Sequence, residues 1–178
     1  LKWMGKYQQD VSTLTLGEYM KSLNLPSSYY FIWLFFKLPI LIIIGFILFP
    51  FIEKKLLKNN LNKILTYSII ITCFVILFLF ILLDIAIYNE IRHIMFLIPL
   101  IFLVSLNNLY LWSKKFFYFS GFFMIILFIT ENVAINPYQY TWMNSFSKFY
   151  KINKNFEVDY WGISNKNLYS SIIEHSSK

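Results

Sequence analysis

The sequence predicts an all-α integral membrane protein, with about four transmembrane helices and a small extracytoplasmic C-terminal tail of mixed structure. Three observations predict it. Of the 178 residues, 58% are hydrophobic and only 14% charged, with a mean hydropathy of +0.57. A soluble domain has roughly 25% charged and roughly 45–50% apolar residues. The apolar residues gather into long runs, each near the about 20 residues that cross about 30 Å of hydrocarbon. Aromatics make up 21%, with 20 Phe and 13 Tyr, which suits lipid-facing helices flanked by interfacial belts. The same figures exclude disorder, which needs low hydrophobicity and high charge, and stand against a soluble globular enzyme.

Residues 1–29 are polar enough to lie outside the membrane as a juxtamembrane segment. Within them Thr15-Leu16-Gly17-Glu18 has the capping-box form, in which Thr and a Glu three residues on satisfy each other's backbone donors. A short helix over 16–23 is expected there, ended by Asn24 and Pro26. The membrane region, 30–135, holds four apolar runs at 30–52, 64–87, 94–112 and 116–135. The third weakens at Asn107-Asn108 and also fits a re-entrant or short tilted helix. Pro39, Pro50 and Pro99 point to kinks, whose freed carbonyls need partners from neighbouring segments. Residues 136–178 form the tail. Asn136-Pro137 ends the last run, and Tyr138, Tyr140 and Trp142 follow at the density of an interface belt. A short strand is expected over 156–160 and a helix over 165–174, capped by Ser164.

Orientation follows from the basic residues near the run ends. The net charge is +7, and Arg92 is the one arginine. Lys54, Lys55, Lys58 and Lys63 lie between the first two runs, and Lys114 and Lys115 between the last two. Arg92 alone lies between the second and third. Lys-rich short loops mark the cytoplasmic side, so both chain ends are expected outside. Topology then accounts for the positive charge, and nucleic acid is not expected as a partner. Cys73 is the single cysteine, which excludes an internal disulfide and a multi-cysteine metal site. His93 and His175 leave little material for zinc, and five glycines leave none for a nucleotide loop. No cofactor is expected.

The stretch Tyr88-Asn89-Glu90-Ile91-Arg92-His93 packs an acid, the arginine and a histidine at the outer membrane face. The planar fork of Arg92 matches phosphate, and His93 can bond a phosphate or carry a proton. From composition alone the favoured reading of Arg92 is an interfacial anchor that snorkels to lipid headgroups, and that of His93 a helix-start residue at the interface. Asp84 and Glu131-Asn132 sit at outer run ends, where an acid is a functional candidate. Lys37, inside the first run, is expected to snorkel outward, and Cys73 to pack as a small apolar residue. Asp159-Tyr160-Trp161 sets a carboxylate beside two aromatics, a pattern that either binds sugar or docks the tail on the membrane face.

The motifs also resemble a family. Tyr88-Asn89-Glu90-Ile91-Arg92-His93-Ile94-Met95-Phe96-Leu97-Ile98-Pro99 resembles the Y-[ND]-x-[IL]-R-H-x-x-F-x-x-P stretch of bacterial multi-spanning membrane glycosyltransferases. These are related to the dolichyl-phosphate-mannose–protein mannosyltransferases (family 39). Asn136-Pro137-Tyr138-Gln139-Tyr140, then Asn144, is similar to their H-P-Y-Q-Y-x-Y-F-N, with Asn136 where His is common. Phe156-Glu157-Val158-Asp159-Tyr160-Trp161-Gly162-Ile163-Ser164 resembles F-E-x-D-Y-W-G-x-S. Leu25-Pro26-Ser27-Ser28-Tyr29-Tyr30, then Lys37-Leu38-Pro39, resembles the segment where their loop re-enters the membrane. The order and approximate spacing agree across nearly the whole chain.

The resemblance implies transfer of a sugar from a polyprenyl-phosphate carrier to an acceptor, at the outer face of a bacterial inner membrane. The partners it implies are the lipid-linked sugar and membrane lipids. It also implies that the chain matches the C-terminal part of such an enzyme, so the catalytic carboxylate of the first outer loop is expected upstream. Arg92 and His93 are the carried-over substrate-binding candidates, with Asp159, Tyr160 and Trp161 in a family motif. Two other classes stand beside this one: a non-enzymatic membrane scaffold, and a small transporter component using Asp84 and Glu131.

Overall fold

A hairpin stands where the capping-box pattern pointed to a helix. The computed structural model describes residues 11–56, 60–85, 87, 90–159, 162 and 165. In it Ser12–Thr15 (β1) pairs antiparallel with Glu18–Lys21 (β2), with Thr15 opposite Glu18. The two residues between them, Leu16 at φ +52° and Gly17 at φ +85°, are both left-handed. Such a two-residue turn matches the right-handed twist of paired strands. Gly17 takes that conformation without steric cost, and its N–H bonds the Asn155 carbonyl at 3.0 Å. Thr15 and Glu18 therefore close a hairpin, and the only helical piece in this region is a short 3-10 turn, Ser22–Asn24. Leu16 is a poor occupant of a left-handed position. Leu16→Asn is expected to stabilise the fold by about 0.5–1 kcal/mol, read as a higher thermal unfolding midpoint. An unchanged or lower midpoint would count against the turn.

The first apolar run is broken. Ser28–Lys37 (α1) and Ile40–Ile47 (α2) meet at a bend of 120°. Proline biases its predecessor away from helix and lacks an N–H of its own, and Leu38, before Pro39, is extended (φ −93°, ψ 138°). The bend frees carbonyls at the end of α1, and Asn144 of the tail takes them. Its side-chain amide donates to Phe35 O at 2.6 Å and Leu38 O at 2.9 Å, and its backbone N–H to Phe36 O at 2.8 Å. A third helix, Phe49–Leu56 (α3), follows at once, with Pro50 in its first turn, where a missing N–H is tolerated.

Asn60–Leu82 (α4) carries a span of 22 residues, Leu61–Leu82. Leu97–Trp112 (α5) has 16 residues, about 24 Å at 1.5 Å each, short of a full crossing. Lys114–Ala134 (α6) is long and apolar enough to cross, and none of its residues is buried. The protein is thus mostly helical and, among the described residues, two helices are long and apolar enough to span a membrane, or three if α1 and α2 together make one broken span. Of the about four expected spans, the first is the broken α1–α2 pair, the second and fourth are α4 and α6, and the third is the short α5, a form the sequence already allowed.

The most extensive packing is α2 on α5. It rests on Gly45, where an added Cβ would lie 2.6 Å from the Ser105 carbonyl and 3.0 Å from the Leu109 side chain. Small residues let apolar helices approach this closely. Buried Asn108 donates to the Gly45 carbonyl at 3.0 Å, binding the two helices together. The core is built where the hairpin, α1, the loop before α5 and the tail meet. There Trp33 packs on Phe156, with ring centroids 5.4 Å apart, and donates from its indole to Thr15 Oγ1 at 3.0 Å. Ile94, Leu97 and Met143 complete this cluster. In the tail, Ile152–Asn155 forms one helical turn (α7). The strand expected over 156–160 is a single antiparallel bridge, Thr15 to Phe156. Tyr160 and, apart from Asn165, the expected 165–174 helix lie outside the described residues.

Candidate functional site

Lys37 ends α1 beside the Pro39 break and points inward. Its Nζ lies 2.6 Å from Glu90 Oε2 and donates to the Tyr140 carbonyl at 2.9 Å. The Trp33 ring centroid is 5.9 Å away. The two side chains are 8% and 6% exposed, so the expected outward snorkelling does not occur. A buried ammonium is retained only when paired, and here a carboxylate and a carbonyl supply the partners. Glu90 holds a left-handed backbone, φ +64°, which an ordinary side chain adopts at a cost. Burial pushes its carboxyl up to about 7, while the Lys37 charge pulls it down.

Two residues on, Arg92–Ile94 forms a 3-10 turn on which Arg92 and His93 are half-buried and Ile94 is fully buried. The Lys37–Glu90 pair and the Ile94 side chain thus fix this turn from both sides. The network continues into the tail. The Tyr140 hydroxyl donates to Asp159 Oδ1, so Asp159 joins the residue whose carbonyl receives Lys37. Among the predicted site residues, Arg92 and His93 share one turn and Asp159 connects to the ion pair that holds it. Tyr160 and Trp161 lie outside the described residues.

The remaining candidates fall elsewhere. Glu131, at the end of α6, accepts from Trp142 Nε1 at 3.0 Å and Ser145 Oγ at 3.3 Å, with Lys148 Nζ at 3.4 Å. It fastens the tail to α6. Lys148 is 71% exposed, and an ion pair so wet contributes little. Asn132 bonds back to Phe128 O of its own helix at 2.7 Å. Cys73 is buried and packs in the core. Asp84 is exposed, just past α4. Between α2 and α6 runs an apolar groove of about 290 Å³, lined from Phe116 at one end to Glu131 and Trp142 at the other. No group of three or more metal-ligating side chains occurs among the described residues.

Lys37, Glu90 and Asn144 were not singled out as site residues. One signal was present for the first two: a lysine inside an apolar run must reach either water or an acid, and Glu90 stands two residues before the arginine. Compared with known proteins, the chain matches no family model, no curated protein and no solved structure.

Proposed function

We propose that the chain is the C-terminal part of a membrane glycosyltransferase, which moves a sugar from a polyprenyl-phosphate carrier to an acceptor at the outer face of the membrane. The observation that carries this reading is a convergence. Lys37, Glu90, Tyr140 and Asp159 come from four separate stretches that resemble one family, and they form one connected network. Residues far apart in a chain are brought into one polar, buried chain of contacts where a site has to be held rigid.

In this reading Arg92 stabilises charge developing on the departing carrier phosphate, and His93 bonds the phosphate or shuttles a proton. The Lys37–Glu90 pair keeps their turn in place. Asp159 and the neighbouring Tyr160 and Trp161 contact the sugar or organise the tail around it. The apolar groove between α2 and α6 has room for part of a prenyl chain.

The test is transfer of a labelled sugar from a polyprenyl-phosphate donor by the full-length protein in membranes. Arg92→Ala is expected to cut turnover about 10²- to 10³-fold, the usual effect of losing one preorganised charge-stabilising donor, at unchanged expression. Undiminished transfer by that variant removes the phosphate role.

A further inference from the structure

A polar pocket lies at the C-terminal end of α4. It has a volume of about 160 Å³ and is lined by Ser22, Asn24, Ser27, Tyr30 and Asp84. Tyr30 forms one wall, its hydroxyl donating to the Ile85 carbonyl at 3.2 Å. Asp84 follows the candidate span Leu61–Leu82, where a spanning helix meets the headgroup region.

Asp84 is an unfavourable residue for its position on two counts. It occupies the left-handed residue of the helix-terminating turn, at φ +45°. The Ile85 N–H bonds Phe80 O at 3.1 Å and the Asp84 N–H bonds Ile81 O at 3.3 Å, the double bond pattern that closes such helix ends and favours Gly or Asn there. Its carboxylate also adds negative charge at the negative end of the helix dipole. Asn would relieve both problems. Among the described residues, no cation or hydrogen-bond donor pairs with this carboxylate.

The same two features that make Asp84 costly for the turn favour a positive ligand. The helix-end carbonyls and the carboxylate both attract a cation, and the other polar lining residues offer hydroxyl and amide oxygens. A divalent metal fits poorly, since calcium takes 6–8 oxygens, commonly from several carboxylates, and this pocket has one. A primary ammonium fits, because its three N–H donors can reach one carboxylate and two neutral oxygens.

We propose that this pocket binds a primary ammonium group, carried by an ethanolamine phospholipid headgroup or by a small free amine, with Asp84 as its counter-ion. The proposal is independent of the glycosyltransferase reading. The test uses the whole protein in detergent, by native mass spectrometry against phosphatidylethanolamine and phosphatidylcholine of matched chains. Thermal unfolding with free ethanolamine is measured beside it. The wild type is expected to retain the ethanolamine lipid about tenfold over the choline lipid, whose quaternary nitrogen has no N–H to donate. Asp84→Asn is expected to bring the two to parity and to unfold at the same or a higher temperature, with Asp84→Gly as a second charge-removing variant. A midpoint raised by ethanolamine in the wild type alone, with no lipid preference, assigns the site to a free amine. A lipid preference that survives in Asp84→Asn overturns the proposal. So does a wild type that answers to neither probe, or a lower midpoint in both variants.

Discussion

Lys37→Met is expected to destabilise the protein by about 3–5 kcal/mol near neutral pH, the usual result of removing one partner of a buried ion pair. The Lys37 and Glu90 side chains are almost fully enclosed, so water cannot take the place of the lost ammonium. The loss has an outlet in acid, because Glu90 can take up a proton. In the wild type, burial already holds the Glu90 carboxyl up at about 7 against an ordinary value of 4.5. For an acid raised in the folded state, the folded form binds more protons than the unfolded one between those two values. The stability this group contributes is therefore fully present below 4.5 and is lost as pH rises to about 7. Lys37→Met removes the charge that pulls Glu90 down, so its carboxyl rises further and the loss extends to higher pH. Thermal unfolding in detergent should thus show a large deficit for Lys37→Met at about pH 8 and a much smaller one at about pH 5. Lys37→Met with Glu90→Leu should recover most of it, since an apolar pair leaves no uncompensated charge. A deficit equal at both pH values, or a double variant no better than the single one, would contradict this account.

Gly45→Ala should cost about 1–3 kcal/mol, the range for forcing extra atoms into a packed contact. The Ser105 carbonyl that the new Cβ would meet at 2.6 Å is backbone and cannot swing aside. The clash would push α2 away from α5 and stretch the bond from Asn108 to the Gly45 carbonyl. Gly121→Ala in α6 is the matched control. Its Cβ would meet nothing within 4 Å, so the better helix propensity of Ala should leave stability unchanged or raise it by up to about 1 kcal/mol. Equal unfolding midpoints for the two variants would rule out the close approach of α2 to α5.

Local signals in the sequence were enough for α4 and α6, because a long apolar run has no alternative to helix in a membrane. Pro39 marked the break in the first run for the same kind of local reason. The hairpin was misread because Thr15-Leu16-Gly17-Glu18 satisfies two local patterns. The capping box needs Thr and Glu three apart, and a two-residue turn needs Gly at its second position. The face that buries Thr13 and Thr15 decides between them, and that is a tertiary contact which neither local pattern carries. At the candidate site, Arg92, His93 and Asp159 stood out by residue type. Lys37 did not, since a lysine in an apolar run can reach water in one direction or an acid in the other. Only the tertiary contact to Glu90, 53 residues away in sequence, decides which.

The order of synthesis gives the Asn144 contacts a temporal meaning. The carbonyls of Phe35 and Leu38 are made 109 and 106 residues before the amide that bonds them. At the speed of translation that gap lasts roughly 5–20 s. During it, a bend at Leu38–Pro39 would expose bare carbonyls, which hydrocarbon does not tolerate. Until the tail amide arrives, these carbonyls need water or a straighter helix to satisfy them. The 120° bend between α1 and α2 is thus made before α6 and before the tail amide that closes it.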